Sequence, residues 1–293
     1  MDSQDHRLMH TPVTPETIAF FQKLIYQYYR LHGRSFQWRE TYDPYSILVS
    51  EMMLQQTQTS RVEKKYPAFI SMYPDFKSLA RAPVGDVIRM WKGLGYNRRA
   101  LALKEIAHKV IADYNGELPD CPDDLIKLPG VGRYTAAAVA TFAFNRPEVF
   151  IDTNIRTVFL YFFYHEKENV HDRSILQLIE MTLDCKNPRQ WYYALFDYGA
   201  MLKIHNNVNA SSIHYRKQNP FKGSNREVRG NIIGLLLNNS ALSYSDIERS
   251  LELSPIRVRE NLDRLQKEGF ITIINDRVRF NDVNRFNVDE QDK

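Results

Sequence analysis

The string LPGVGRYTAAAV, residues 128–139, constrains this chain more than any other stretch. Two glycines two positions apart, Gly130 and Gly132, sit between apolar helical runs and allow a tight turn with no Cβ in the way. The backbone amides of Gly130, Val131, Gly132 and Arg133 are then exposed at the start of the next helix, where they can hold a phosphate oxygen. Small residues at 136–138 let that helix pack closely on its predecessor. A plain turn between two helices would also use glycine, so the competing reading is purely architectural.

The surrounding sequence is helical in period. TPETIAFFQKLIYQYYRLHG places Thr14 as N-cap, Pro15 at the first helical position and Gly33 at the stop. DPYSILVSEMMLQQTQTSRVEKKYPAFISMYP gives one or two helices, with SEMMLQQTQT reading as the middle of one. PVGDVIRMWKGLG, RRALALKEIAHKVIADYNG, DTNIRTVFLYFFYH and QWYYALFDYGAMLKIH follow, and Asp152 is a natural N-cap. Strand signals are almost absent before residue 270. After a Ser-, Asn-, Pro- and Gly-containing linker at 209–225 come three helical runs and a hairpin, FITIINDRVRF, turning at Asn275–Asp276. Three helices and then a hairpin is winged-helix order. The last residues, DVNRFNVDEQDK, read as a frayed tail.

Composition narrows the class. The 293 residues are 43% hydrophobic, enough to bury a core, and allow about two domains. The longest apolar run, near residues 136–144, is far short of a membrane span, and the N-terminus lacks a secretory pattern. A soluble cytoplasmic monomer is the default expectation. Two cysteines 64 positions apart make neither a disulfide framework nor a CxxC site, and no HExxH occurs, so no metal site is expected. Net charge is +4, and it is uneven: residues 1–222 carry +5 and residues 223–293 carry −1. A mildly basic first part suits a polyanionic partner.

Four strings in register, SEMMLQQTQT, WKGLGYNRRA, LPGVGRYTAAA and DTNIRTV, resemble the helix–hairpin–helix DNA glycosylases over residues 38–200. MLQQTQ after Glu51 resembles the adenine-glycosylase branch. The resemblance implies a mainly α, two-lobed fold: a glycosylase core at 1–222, with a six-helix module about 42–145, and a winged-helix-like module at 223–293. It also implies removal of adenine opposite 8-oxoguanine or guanine in duplex DNA. Thymine or uracil removal from mismatches with guanine stays open, as does a non-catalytic DNA-binding protein on the same scaffold.

Glycosidic cleavage through an oxocarbenium-like transition state needs an acid for the departing base and an anion near the sugar. Glu51 has helical neighbours Ile47, Leu48, Leu54 and Gln55, a largely apolar flank that favours a protonated acid. Asp152, at a helix start, is held by amides and dipole as the anion. By resemblance Asn154 assists it. Position 134 holds a lysine in relatives that cleave the strand through a Schiff base; Tyr134 cannot form that imine, so the expected product is an intact strand with an abasic site. Leu54, Gln55 and Gln56 resemble residues that wedge into the stack or meet the opposite base. Tyr96 resembles an intercalating aromatic, Arg39 an arginine on the active-site side, and Arg98 and Arg99 are expected to meet phosphate. Most such relatives bind a 4Fe–4S cluster through four cysteines; the matching positions fall near Lys203, Ala210, Ile213 and Asn219, none of them Cys. No cofactor is therefore expected.

Overall fold

A computed structural model describes residues 12–164, 167–205, 212–213 and 221–281. Most of the expected linker, including Ala210 and Asn219, and the expected tail at 282–293 lie outside the described residues. In chain order the helices are α1 (Pro15–His32), α2 (Pro44–Leu54), α3 (Thr59–Met72), α4 (Phe76–Arg81), α5 (Val84–Trp91), α6 (Arg98–Asp113), α7 (Pro122–Leu125), α8 (Arg133–Phe144), α9 (Thr153–Phe163), α10 (Asp172–Thr182), α11 (Pro188–His205), α12 (Asn225–Leu236), α13 (Tyr244–Leu251) and α14 (Pro255–Lys267). Strands β1 (Leu242–Ser243), β2 (Ile271–Ile274) and β3 (Arg277–Phe280) pair antiparallel in the order β1-β3-β2. The mainly α architecture with a C-terminal winged-helix module is as expected.

Two compact units divide the described chain. The first draws on residues within 1–47, 120–127 and 131–217. Its core is aromatic: Phe21 of α1 meets Phe159, Phe162 and Trp191 edge-on, at 5.6, 5.3 and 5.7 Å between ring centroids. Such contacts add to the area each ring buries. α9 and α11 approach so closely that a Cβ on Gly199 would lie 2.2 Å from the carbonyl oxygen of Asn154. Only glycine lets α11 press against the first turn of α9.

The second unit draws on residues within 48–119, 128–130 and 218–293. Trp91, Phe69, Leu103 and Ile106 are among its buried side chains. The C-terminal segment packs within this unit. Phe280 of β3 covers α5 at Gly85, whose missing Cβ would sit 3.2 Å from the ring, and Arg89 donates to the carbonyl of Leu237 at 3.2 Å.

Local rules set many boundaries. Thr14 accepts from the amide of Thr17, and Asp152 from that of Ile155. Asn275 and Asp276 both have positive φ, the two-residue turn that suits a hairpin's twist. Two expectations change. SEMMLQQTQT is not mid-helix: α2 ends at Leu54, Gln56 turns left-handed at φ 53°, and α3 begins at Thr59. The sheet also gains β1, two residues that pair with Val278 and Arg277 and owe their strand state to that distant partner.

Candidate active site and DNA-facing residues

In the first unit, Asp152 caps α9. Its Oδ1 accepts from the Ile155 amide at 2.7 Å and its Oδ2 from Asn154 Nδ2 at 3.0 Å. Burial pushes its carboxyl above the ordinary carboxylate range, and the Ile155 amide and Lys203 pull it partly back. Asp152 is half-buried, and a carboxylate held there by two hydrogen bonds can act on a positive charge developing beside it. Lys203, near the end of α11, donates to Asn154 Oδ1 at 2.8 Å. Burial lowers its own pKa, and Asp152 opposes that shift. The side chains of Asp152, Asn154 and Lys203 thus form a chain of hydrogen bonds in which Asn154 cannot rotate without losing both partners. Sequence reading missed this part of Lys203: forty-nine positions separate it from Asn154, and no local spacing signals their contact.

Tyr134 lies in the first turn of α8, partly buried, edge-on to Phe150 at 5.6 Å. Gly132 precedes it as N-cap with no side-chain cap, and a Cβ there would meet nothing within 4 Å. First-turn amides of a helix have no intrahelical acceptor, so this open end can take an anion. Arg133 is exposed, whereas Val131 is 5% exposed and belongs to the core. Arg39 differs from expectation. Its guanidinium grips Asp197 of α11 through two bonds of 2.9 Å and is only 7% exposed, so it is a buried ion-pair partner and not an open cation.

In the second unit, Glu51 is 5% exposed on α2, which agrees with the apolar flank read from the sequence. Leu54 ends that helix and Gln55 follows, its Nε2 within 3.4 Å of the carbonyl of Gly130. Gly130 has φ +73°, and a Cβ there would approach Ala102 Cβ to 2.9 Å, so close packing as well as turn geometry requires glycine. Gln56 (φ 53°) and Tyr96 (φ 47°) both occupy the left-handed region and both line one cleft with Gln55 and Arg98. Such strain in non-glycine residues persists only where the surroundings enforce it.

Arg99 enforces it, and this corrects the expectation that it meets phosphate. It is 7% exposed. One guanidinium nitrogen donates to the carbonyls of Met52, Met53 and Gln55 at 2.8, 2.9 and 2.6 Å. The other donates to Thr57 Oγ1 and the carbonyls of Leu94 and Gly95 at 2.9, 3.3 and 2.9 Å. One side chain therefore ties the turn holding Gln56 to the turn holding Tyr96. Burial lowers its pKa to about 10, which leaves it charged at neutral pH. Its neighbour Arg98 is exposed, as a phosphate contact requires.

The family described as HhH-GPD superfamily base excision DNA repair protein matches residues 49–180, and the description winged helix-turn-helix DNA-binding matches residues 226–272. The thymine/uracil-DNA glycosylase of Methanothermobacter thermautotrophicus is 34% identical over 185 residues, covering 62% of this chain and 84% of that protein. The adenine DNA glycosylase of Mycobacterium tuberculosis (strain ATCC 25618 / H37Rv) is 45% identical over 154 residues, covering 52% of this chain and 50% of that one. A solved thermostable thymine-DNA glycosylase superposes with a TM-score of 0.57 at 31% identity, covering 65% of this chain and 89% of that one. The chain belongs to the HhH-GPD superfamily of base excision DNA repair proteins. It spans about half the length of the adenine DNA glycosylases it matches.

The iron–sulfur cluster of many relatives does not fit this chain. Four thiolates are needed, and the sequence holds two cysteines, Cys121 and Cys185. At the matching positions that are described, Lys203 bonds Asn154 and Ile213 offers no donor. No group of three or more metal-ligating side chains occurs among the described residues, and none of their helices is long and apolar enough to cross a membrane.

Proposed function

We propose that this chain is a monofunctional DNA glycosylase of base excision repair that releases adenine mispaired with 8-oxoguanine or guanine. The observation that carries the choice of adenine is the stretch MLQQTQ after Glu51, together with 45% identity to an adenine DNA glycosylase across the core. In this reading Glu51 gives its proton to the departing base as the bond from C1′ to nitrogen breaks. Asp152 stays ionised and opposes the positive charge on the sugar, with Asn154 fixing its orientation. Water adds to C1′ and gives its proton to the now ionised Glu51, restoring the acid, and the products are free adenine and an abasic site. Tyr134 offers no amine for an imine, so the strand stays intact. Gly130, Gly132 and Arg133 hold backbone phosphate, and Gln55, Gln56 and Tyr96 face the opened duplex. The partner is duplex DNA carrying a mismatch or an oxidised base, bound by a monomer, and the winged-helix match supports further DNA contact.

A second reading, thymine or uracil release from mismatches with guanine, is favoured by the Methanothermobacter enzyme, of which 84% is covered. Duplexes containing A:8-oxoG, A:G, T:G and U:G separate the two when abasic sites are cleaved with alkali. Adenine release is expected. Release of thymine but not adenine transfers the assignment to the second reading, release from no duplex leaves a DNA-binding protein, and nicking without alkali defeats monofunctional chemistry.

A further inference from the structure

Within the second unit, the C-terminal segment and residues of α3, α5, α6 and the turns between them enclose a cleft of about 1150 Å³. One wall is the pair of left-handed turns at Gln56 and Tyr96; the other is Phe221 and one face of α12. Its chemistry is distinctive. Arg61, Lys92, Arg98 and Arg226 line it with a single counter-charge, Glu105, once Arg229 is matched by Glu268 at 2.8 Å. Tyr96 and Phe221 are 39% and 59% exposed, unusual for large aromatic rings. Arg226 Nη1 donates to Tyr96 Oη at 3.0 Å, so α12 meets the tyrosine turn across the cleft. Gly230 and Gly234, one turn apart on α12, face it with no atom within 4 Å of where their Cβ would lie. Two glycines inside a helix cost about 1 kcal/mol each relative to alanine, and here nothing fills the space they leave.

Basic side chains tracking a groove, exposed aromatic rings and an open backbone face together suit a polyanion with flat, unstacked bases. Bases in an intact duplex cover their faces by stacking on their neighbours, so two rings on opposite walls of a cleft are better used by an unpaired strand. We propose that this cleft binds a short unpaired DNA segment, gripped from the C-terminal side by Phe221 and Arg226 and from the core by Tyr96. Recognition through this face differs from the usual docking of a winged helix, where the third helix carries the contacts. α14 is poorly suited to that role: Arg257 is spent on the carbonyl of Gly223 at 2.7 Å, and exposed Glu260 and Asp263 stand beside Arg259 and Arg264.

The test is fluorescence anisotropy on the full chain with a labelled single-stranded oligothymidine and a fully paired duplex of equal length. It reads binding alone, so it does not depend on base release and stays decisive even if the glycosylase assignment fails. The double variant Phe221→Ala, Arg226→Ala is expected to weaken single-strand binding at least about tenfold and duplex binding by less than about twofold. The salt dependence of single-strand binding is expected to fall by about 0.7 in log–log slope for the lost phosphate contact. Arg259→Ala, Arg264→Ala on α14 is expected to leave single-strand binding unchanged. Equal losses on both DNAs, single-strand binding equal to that of the unaltered protein, or a loss confined to the α14 variant would each overturn the proposal.

Discussion

Replacing Arg99 by methionine keeps most of the stem's packing and removes every hydrogen bond of the guanidinium. Six carbonyls and the Thr57 hydroxyl lose a charged donor at between 2.6 and 3.4 Å. Bonds to a charged group contribute about 1.5–3 kcal/mol each when considered singly, but acceptors that share two nitrogens are not additive. Methionine also removes the burial penalty of the cation, which offsets part of the loss. The balance is a destabilisation of about 3–5 kcal/mol, or roughly 10 °C in melting temperature for a protein of this size. Urea unfolding measures it, and hydrogen exchange at Gln55–Thr57 and Leu94–Tyr96 locates it. Both turns should lose protection together, because one side chain ties them. Arg99→Lys, with one compact ammonium, should recover less than half, since it cannot reach both turns at once. A loss below about 1 kcal/mol, or fast exchange in one turn with the other unchanged, would show that Arg99 is not the tie.

Asp152→Asn should abolish base release while preserving DNA binding, because asparagine still caps α9; retained turnover would remove Asp152 from the chemistry. The same variant has a stability signature. Burial raises the folded-state pKa of Asp152 above its unfolded value, so its favourable contribution is present below the unfolded pKa and is lost as pH rises through the folded one. The variant should therefore gain melting temperature relative to the unaltered protein as pH rises above about 4, and a gap of the opposite sign would refute the burial argument. Lys203→Met removes a cation that pulls the Asp152 pKa down, so the acidic limb of the single-turnover pH profile should move to higher pH, with Lys203→Arg restoring it; an unmoved limb would make Lys203 a bystander. Gly199→Ala puts a methyl 2.2 Å from a backbone oxygen that cannot rotate away, and should lower both stability and base release, as thermal melts and turnover would report; a melt unchanged from the parent would mean that α11 can shift without consequence.

Short-range physics made much of this protein legible from its residues alone. Caps at Thr14 and Asp152, the stop at Gly33, the glycine hairpin at 130–132 and the Asn275–Asp276 turn each depend on a few neighbouring dihedrals and one or two local bonds. Helical period carried the architecture, and Glu51 on an apolar flank is indeed buried. Tertiary structure decided what no spacing encodes. Arg99 and Gln55 are forty-four positions apart, Lys203 and Asn154 forty-nine, and Arg226 and Tyr96 one hundred and thirty. An arginine beside another arginine looks like a phosphate contact until packing turns it inward. A lysine near a helix end looks like a plain surface charge until the fold, with a glycine one turn earlier, brings it within hydrogen-bond reach of Asn154 on α9. The physical reason is common to these cases: a charged side chain's role is set by whichever acceptor lies within about 3 Å of it in the folded state, and that acceptor comes from elsewhere in the chain.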